Sequence, residues 1–404
     1  MFLENFRKDF PMLKRRIQGK PLIYLDTAAT AQKPQVVIDT ISEFYQNQYG
    51  TVHRTAYELC AFATQQYEQV REQVRRLLNA SKVEEIIFTK GTTESINLVA
   101  HSFGKKFIFP GDEILISAME HHANIVPWQM ACEERGAELK VIPMNSKGEL
   151  DLEAYQALLN DCTKLVAVAH ISNSTGTLNP IKQICQMAHK AGAKILVDGA
   201  QSAPHMPVDV KLLDADFFVF SGHKMYGPTG IGILYGKEEL LNAMPPYQGG
   251  GDMVDKVTFE KTTYNKLPLK FEAGTPPIAE VIGLGAAIEF TQKVGLSNIE
   301  HHEKKLLENA TQLLIALPGI RLIGTAKEKG AIITFVAEGV HALDIGSLLD
   351  IRGVAIRTGT LCAQTALQFF GVDSVCRASF AFYNTAEEVT LFIESLKEAL
   401  KILR

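Results

Sequence analysis

The sequence predicts an α/β protein, a large and mostly parallel sheet followed by a second, smaller α+β domain. Three observations carry that prediction. Between residues 86 and 198, short apolar runs alternate regularly with longer amphipathic stretches. The runs are almost wholly apolar, as in strands covered on both faces, and lack the in–out alternation of a half-solvated sheet. Beyond residue 236 the regularity loosens, and short strands and charged helices follow in a different rhythm.

Taken in order, residues 1–20 read as a short amphipathic arm, and 22–26 as a strand entering a small-residue turn. Pro34 opens a helix at the position where its missing N–H has no partner anyway, with Val37, Ile38, Ile41, Phe44 and Tyr45 on one face. Residues 57–78 read as a longer helix with Leu59, Phe62, Val70, Val74 and Leu77 inward. His53-Arg54, between the two helices, is either a solvated basic loop or a substrate contact. Strands follow over 86–88, 114–116, 139–142, 165–168 and 195–198, separated by helices over 95–103, 124–135, 152–159 and 181–191. Residues 217–220 form another buried strand, which runs into the polar knot Ser221-Gly222-His223-Lys224. Glycines and a proline then break the chain before a returning strand over 231–235. The stretch 247–274 contains Gly249-Gly250-Gly251 and little periodicity, so a long loop with a function or an interface is expected. Helices over 278–294, 299–317, 342–350 and 387–403 alternate with strands over 332–336 and 354–357. The large domain is placed at 21–290, and the small one at 1–20 with 291–404.

The 404 residues, 46% hydrophobic and 21% charged, are enough for two domains and a sizeable core. A net charge of −4 gives no electrostatic case for nucleic acid or an anionic membrane. The N-terminal MFLENFRKDF is charged throughout, unlike a signal peptide, and no apolar run approaches the ~18 residues of a membrane span. Six scattered cysteines without a CxxC pair suit a reducing compartment, so a cytoplasmic protein is expected. No HExxH or other metal spacing occurs, and no metal is expected.

Several polar residues fall just past strand ends, where open α/β sheets bind ligands. Lys224 follows one strand; desolvation there lowers an amine's pKa and suits it to form a Schiff base. Asp198 ends another, as VDGAQS. His121 follows a third, in MEHH. Gly91-Thr92-Thr93 starts a helix, whose free N–H groups and dipole favour a phosphate. Each has a plainer reading alone: a solvated lysine, a helix-capping aspartate, a common threonine cap. Together they make the set pyridoxal phosphate requires, namely a lysine for its aldehyde, an aspartate for its ring nitrogen, a flat side chain for its face and a helix start for its phosphate. A nucleotide site fits less well, since no GxGxxG follows a strand and no GxxxxGK[ST] occurs.

At these residues the sequence resembles the class V, fold-type I pyridoxal-phosphate enzymes, and among them the group II, Suf-type cysteine desulfurases. The resemblance covers nearly the whole chain. Its markers are YLDTAATAQKP (24–34), VHR (52–54), KGTTESINLVA (90–100), MEHHANIVPWQ (119–129), VDGAQS (197–202), FSGHKMYGPTGIGILYG (220–236), FEAGTP (271–276) and RTG with CAQ (357–364). It implies the pyridoxal-phosphate transferase fold, a homodimer with its sites at the interface, and conversion of L-cysteine to L-alanine, with L-selenocysteine as an alternative substrate. Lys224 then bonds the cofactor and shuttles the proton at the substrate Cα. Asp198 pairs with the ring nitrogen and His121 stacks on the ring. Gln201 and Asn173 bond the ring oxygen or the substrate carboxylate. Thr92, Thr93, Ser221 and His223 hold the phosphate, with Thr275 reaching in from the partner subunit. Arg377 clamps the substrate carboxylate, with Arg357 and Arg54 as further substrate contacts. Cys362 takes the sulfur as a persulfide and passes it to a Suf-type acceptor protein (SufE- or SufU-like) for iron–sulfur cluster assembly. A nearby cation such as Arg357 favours its thiolate. The other five cysteines read as buried small apolar residues.

The pattern departs in one place. The family has two histidines before this cysteine and a proline soon after it, where this chain has Thr360, Leu361 and Thr365. The departure touches sulfur transfer and leaves the cofactor ligands intact. Competing readings are a selenocysteine lyase, another class V enzyme of the aminotransferase or kynureninase-like type, and a non-catalytic scaffold.

Overall fold

Seven strands build the large sheet of the computed structural model, which describes residues 3–404. They are β1 (Ile86–Thr89), β2 (Glu113–Ser117), β3 (Glu138–Ile142), β4 (Thr163–Ala169), β5 (Lys194–Asp198), β6 (Phe217–Ser221) and β7 (Gly232–Gly236). Their spatial order is β1-β7-β6-β5-β4-β2-β3. The returning strand β7 pairs antiparallel with both neighbours, and the other four pairings are parallel. The continuous apolar runs have the predicted cause. Along β4, Leu165 and Ala167 enter one apolar cluster while Val166 and Val168 enter another on the opposite face. Phe217 and Val219 are divided from Phe218 and Phe220 in the same way along β6. The carboxyl ends of the parallel strands therefore share one edge of a sheet buried on both sides.

A smaller antiparallel sheet holds β8 (Ile320–Ile323), β9 (Ile332–Ala337), β10 (Arg357–Gly359) and β11 (Val375–Ser379), in the order β8-β9-β11-β10. The single strand expected over 354–357 is split. Val354–Ala355 pairs in parallel with Ile23–Tyr24, and the chain then bends so that Arg357 lies opposite Arg377. Residues 23–24, counted above with the large domain, thus form a two-stranded sheet of their own beside the smaller one, and the Leu25 C=O accepts Ser379 N–H at 2.8 Å. Ile23 and Leu25 are apolar and fill a cluster with Phe335, Val354 and Phe392. The N-terminal arm is anchored by Phe10, fully buried against the rings of Tyr226, Phe290, Phe382 and Tyr383.

Three readings of burial are corrected. Leu59 and Phe62 are 45% and 40% exposed, because the buried stripe of Glu58–Leu77 runs through Cys60, Ala63, Tyr67, Val70, Arg71 and Val74. A pattern that excludes charge from the interior rejects Arg71 and so turns the helix by one residue. Ile38 and Tyr45 are likewise exposed, leaving Val37 and Phe44 as the buried positions of their segment. Cys162 is exposed in the turn before β4. In addition, the stretch read as a long loop contains a hairpin, Val254–Val257 with Thr262–Tyr264, and Phe259 at its tip is fully exposed.

Arg71 is fully buried and forms two hydrogen bonds to Glu272, at 2.7 and 3.0 Å. Glu272 also accepts from Phe88 N–H at 2.8 Å, and the guanidinium lies 4.3 Å from the Phe88 ring centroid. Arg71→Ala leaves a buried carboxylate without its cation, which costs about 3–5 kcal/mol. Urea unfolding should show that loss, and Arg71→Met with Glu272→Gln should recover much of it.

Candidate active site

A cavity of about 440 Å³ opens where the strand ends meet the smaller sheet. The large sheet supplies Thr92 and Thr93 after β1, His121 after β2, Asn173 after β4, Asp198 and Gln201 at β5, and Ser221, His223 and Lys224 at β6. The smaller sheet supplies Arg357, Thr358, Thr360, Leu361, Cys362 and Arg377. Of the residues expected at the site, Arg54 and Thr275 lie outside this cavity. Arg54 is paired with Asp252, and Thr275 lines a separate small pocket with Lys90, Glu94 and Gln248.

Lys224 is half-buried, and among the described residues its ammonium forms no hydrogen bond. Burial lowers its pKa from 10.5 to about 8; Asp198 opposes that shift, Arg377 adds to it, and Cys362 opposes it. Only the neutral amine adds to an aldehyde. The rate at which the apoprotein captures pyridoxal phosphate should therefore rise with pH up to about 8 and then level off, read from the visible absorbance. A rise continuing to pH 10, as for an ordinary lysine, would contradict this value.

Asp198 is 6% exposed and accepts Ala200 N–H at 2.9 Å. Burial pushes its pKa up, while that hydrogen bond and the Lys224 charge hold it down. The His121 Nδ1 accepts Ala123 N–H at 3.0 Å, so the ring proton belongs on Nε2. Burial, then the charges of Lys224, His122 and Arg377, lower its pKa to about 4, which keeps the ring neutral and suited to stacking. His223, brought to about 4 by burial and the charges of Lys224 and Lys33, faces the Thr30 hydroxyl at 3.2 Å.

Thr92 opens the 16-residue helix Thr92–Phe107 behind Gly91. Its N–H donates to the Ser221 hydroxyl at 2.8 Å, and the two side-chain oxygens are also 2.8 Å apart. A Cβ on Gly232 would come within 2.3 Å of the Gly91 Cα, so only glycine lets β7 pass this helix start. Arg377 is 3% exposed, donates to Asn173 C=O at 2.9 Å and pairs with Asp26 at 3.1 Å. Burial works against its charge, and Asp26 offsets this. Arg357 binds the other Asp26 oxygen at 2.9 Å.

Cys362 is exposed at the cavity mouth. Leu361 and Cys362 have φ of 56° and 52°, two successive left-handed residues at about 1–2 kcal/mol each. Leu361 packs with Ile323, Leu367 and Val375, and its C=O accepts Asn173 Nδ2 at 2.8 Å.

The residues fit pyridoxal phosphate. Buried atoms of two cavity residues, Gln201 Oε1 and Arg377 Nε, have no hydrogen-bond partner among the described residues. Such orphans are uncommon unless a ligand completes them. Lys224, Asp198, His121 and the helix start are arranged around the same space.

Two structural residues escaped sequence reading. Asp26 ends an apolar run and bridges both arginines, and its place in YLDTAAT was the available signal. Glu120 is fully buried; it accepts the Ser117 hydroxyl, Asn124 Nδ2 at 2.6 Å and Ala169 N–H at 2.9 Å. Burial raises its pKa to about 8, and its bonds fix the turn that presents His121. Nothing in the motif MEHH distinguishes it from a solvated acid.

The chain resembles known proteins over nearly its whole length. The class V aminotransferase family model matches residues 23–392. The chain is 52% identical over 399 residues to a protein of Synechococcus elongatus named cysteine desulfurase, covering 99% of this chain and 63% of that longer protein. It is 52% identical over 402 residues to the cysteine desulfurase of an Enterobacter strain, covering 99% of both. The crystal structure of the Escherichia coli cysteine desulfurase CsdA superposes with a TM-score of 0.93 at 41% identity, covering 100% of this chain and 99% of that one.

Proposed function

Because this chain belongs to the class V aminotransferase family, we propose that it is a pyridoxal-phosphate-dependent cysteine desulfurase. It converts L-cysteine to L-alanine and takes the sulfur onto Cys362. The observation that carries the reading is the half-buried, unbonded Lys224 sharing one cavity with Asp198, Arg377 and Cys362. The bound cofactor supplies an electron sink that acidifies the substrate Cα. Lys224 holds the cofactor and moves the Cα proton. Asp198 would pair with the ring nitrogen, and neutral His121 would lie against the ring. Thr92, Thr93, Ser221 and His223 hold the phosphate, and Gln201 and Asn173 serve the ring oxygen or the substrate carboxylate. Arg377, with Arg357 beside it, receives the substrate carboxylate. The Cys362 thiolate attacks the substrate Sγ. An S–S bond forms as the substrate Cβ–Sγ bond breaks, and the carbon fragment leaves as alanine after protonation.

The same reading makes the protein a cytoplasmic homodimer that passes persulfide sulfur to a Suf-type acceptor for iron–sulfur cluster assembly. The dimer is supported by Ile38, Tyr45, Tyr49, Tyr57, Leu59 and Phe62, large apolar residues exposed within one stretch of chain. It is supported too by Thr275 and Arg54, which lie outside the cavity of their own subunit and suit one shared across the two-fold. The test is incubation with pyridoxal phosphate and L-cysteine, followed by alanine assay and mass spectrometry of Cys362. One added sulfur per subunit and equimolar alanine are expected; neither appearing would end the proposal.

A further inference from the structure

The Cys362 loop is held by the opposite sheet at more than one point, and a residue outside the cavity lining does part of the holding. His122 follows His121 in the turn after β2. Its main-chain N–H donates to the Cys362 C=O at 2.9 Å. Its Nε2 accepts the N–H of Gln364, the first residue of the helix Gln364–Phe369, at 3.4 Å. Asn173 adds a third bond, to the Leu361 C=O. These three bonds come from the large sheet's loops and span the two residues held left-handed. One turn therefore sends its first imidazole into the cavity and uses its second residue to grip the loop that carries the thiol.

We propose that His122 is a positioning residue for Cys362, holding its thiol in register with the cavity by a two-point clamp on residues 362 and 364. The idea rests on the desulfurase reading above. An unclamped Leu361-Cys362 pair relaxes toward the right-handed or extended backbone that both side chains prefer, and the thiol swings with it. The side-chain half of the clamp needs an acceptor near the imidazole Nε2. Alanine lacks one, whereas glutamine offers its amide oxygen at a similar reach.

The test uses the holoenzyme of the wild type, His122→Ala and His122→Gln. Two readouts separate the thiol from the cofactor. One is the single-turnover gain of a sulfur on Cys362 by mass spectrometry. The other is deuterium exchange at the Cα of L-alanine in heavy water, which needs Lys224 and not Cys362. His122→Ala should slow sulfur gain about tenfold or more while exchange stays within about twofold, and His122→Gln should restore most of the loss. Unchanged sulfur gain in His122→Ala overturns the clamp, as does a parallel fall in Cα exchange, which would mean general damage. A wild type that gains no sulfur overturns the desulfurase reading itself, a separate outcome.

Discussion

Lys224→Ala is expected to lower alanine formation from L-cysteine by about 10³-fold or more, because one residue carries two tasks. In the proposed chemistry it is both the amine that joins the cofactor and the base at the substrate Cα. Its environment matches both: burial brings its pKa to about 8, near working pH, without removing it from reach of the cavity. The variant should still bind the cofactor through the phosphate and ring contacts, since those belong to other residues. Borohydride treatment followed by digestion should find the reduced adduct on residue 224 in the wild type and no lysine adduct in the variant. Near-normal turnover by Lys224→Ala would remove the central element of the proposed chemistry.

Cys362→Ser is expected to reduce desulfuration by about 10²-fold or more while leaving cofactor absorbance and Cα exchange intact. The hydroxyl has similar size but cannot accept the sulfur at neutral pH. The two variants therefore fail differently, one at the cofactor and one at the thiol. L-selenocysteine provides a control, because selenium leaves without help from an enzyme thiol, so its turnover should survive in Cys362→Ser. Full L-cysteine activity in this variant would point to a different sulfur acceptor on the protein.

The large sheet was legible because its strands are buried on both faces, so each reads as a short apolar run, such as Phe217–Phe220, bounded by polar turns and alternating with amphipathic helices. The cavity was legible for a related reason. Lys224, Asp198 and His121 each stand immediately after such a run, so knowing the strands locates the residues. Legibility failed where tertiary pairing overrode local pattern. Arg71 is a charge in the interior, held there by Glu272 some two hundred residues away, and no local rule anticipates it. The split of 354–359 into two pairings depends on Ile23–Tyr24 at the other end of the chain. Glu120 and His122 were hidden for a different reason. Each also takes a hydrogen bond from a backbone N–H far away in the sequence, Ala169 for Glu120 and Gln364 for His122, and such partners leave no mark on composition or spacing.

That same pairing of Ile23–Tyr24 with Val354–Ala355 also orders events during synthesis. All seven strands of the large sheet lie before residue 237, so the ribosome releases a sheet able to close while the chain is still growing. The segment from Ile23 to Leu25 has no such option. Its partners are Val354, Ala355 and Ser379, and at roughly 5–20 residues per second they emerge some 20–70 seconds after it does. For that interval Ile23 and Leu25 lack their strand partners on the nascent chain. Residues made early are thus buried late, and a nascent chain stalled before residue 354 would display Ile23 and Leu25 to chaperones and proteases.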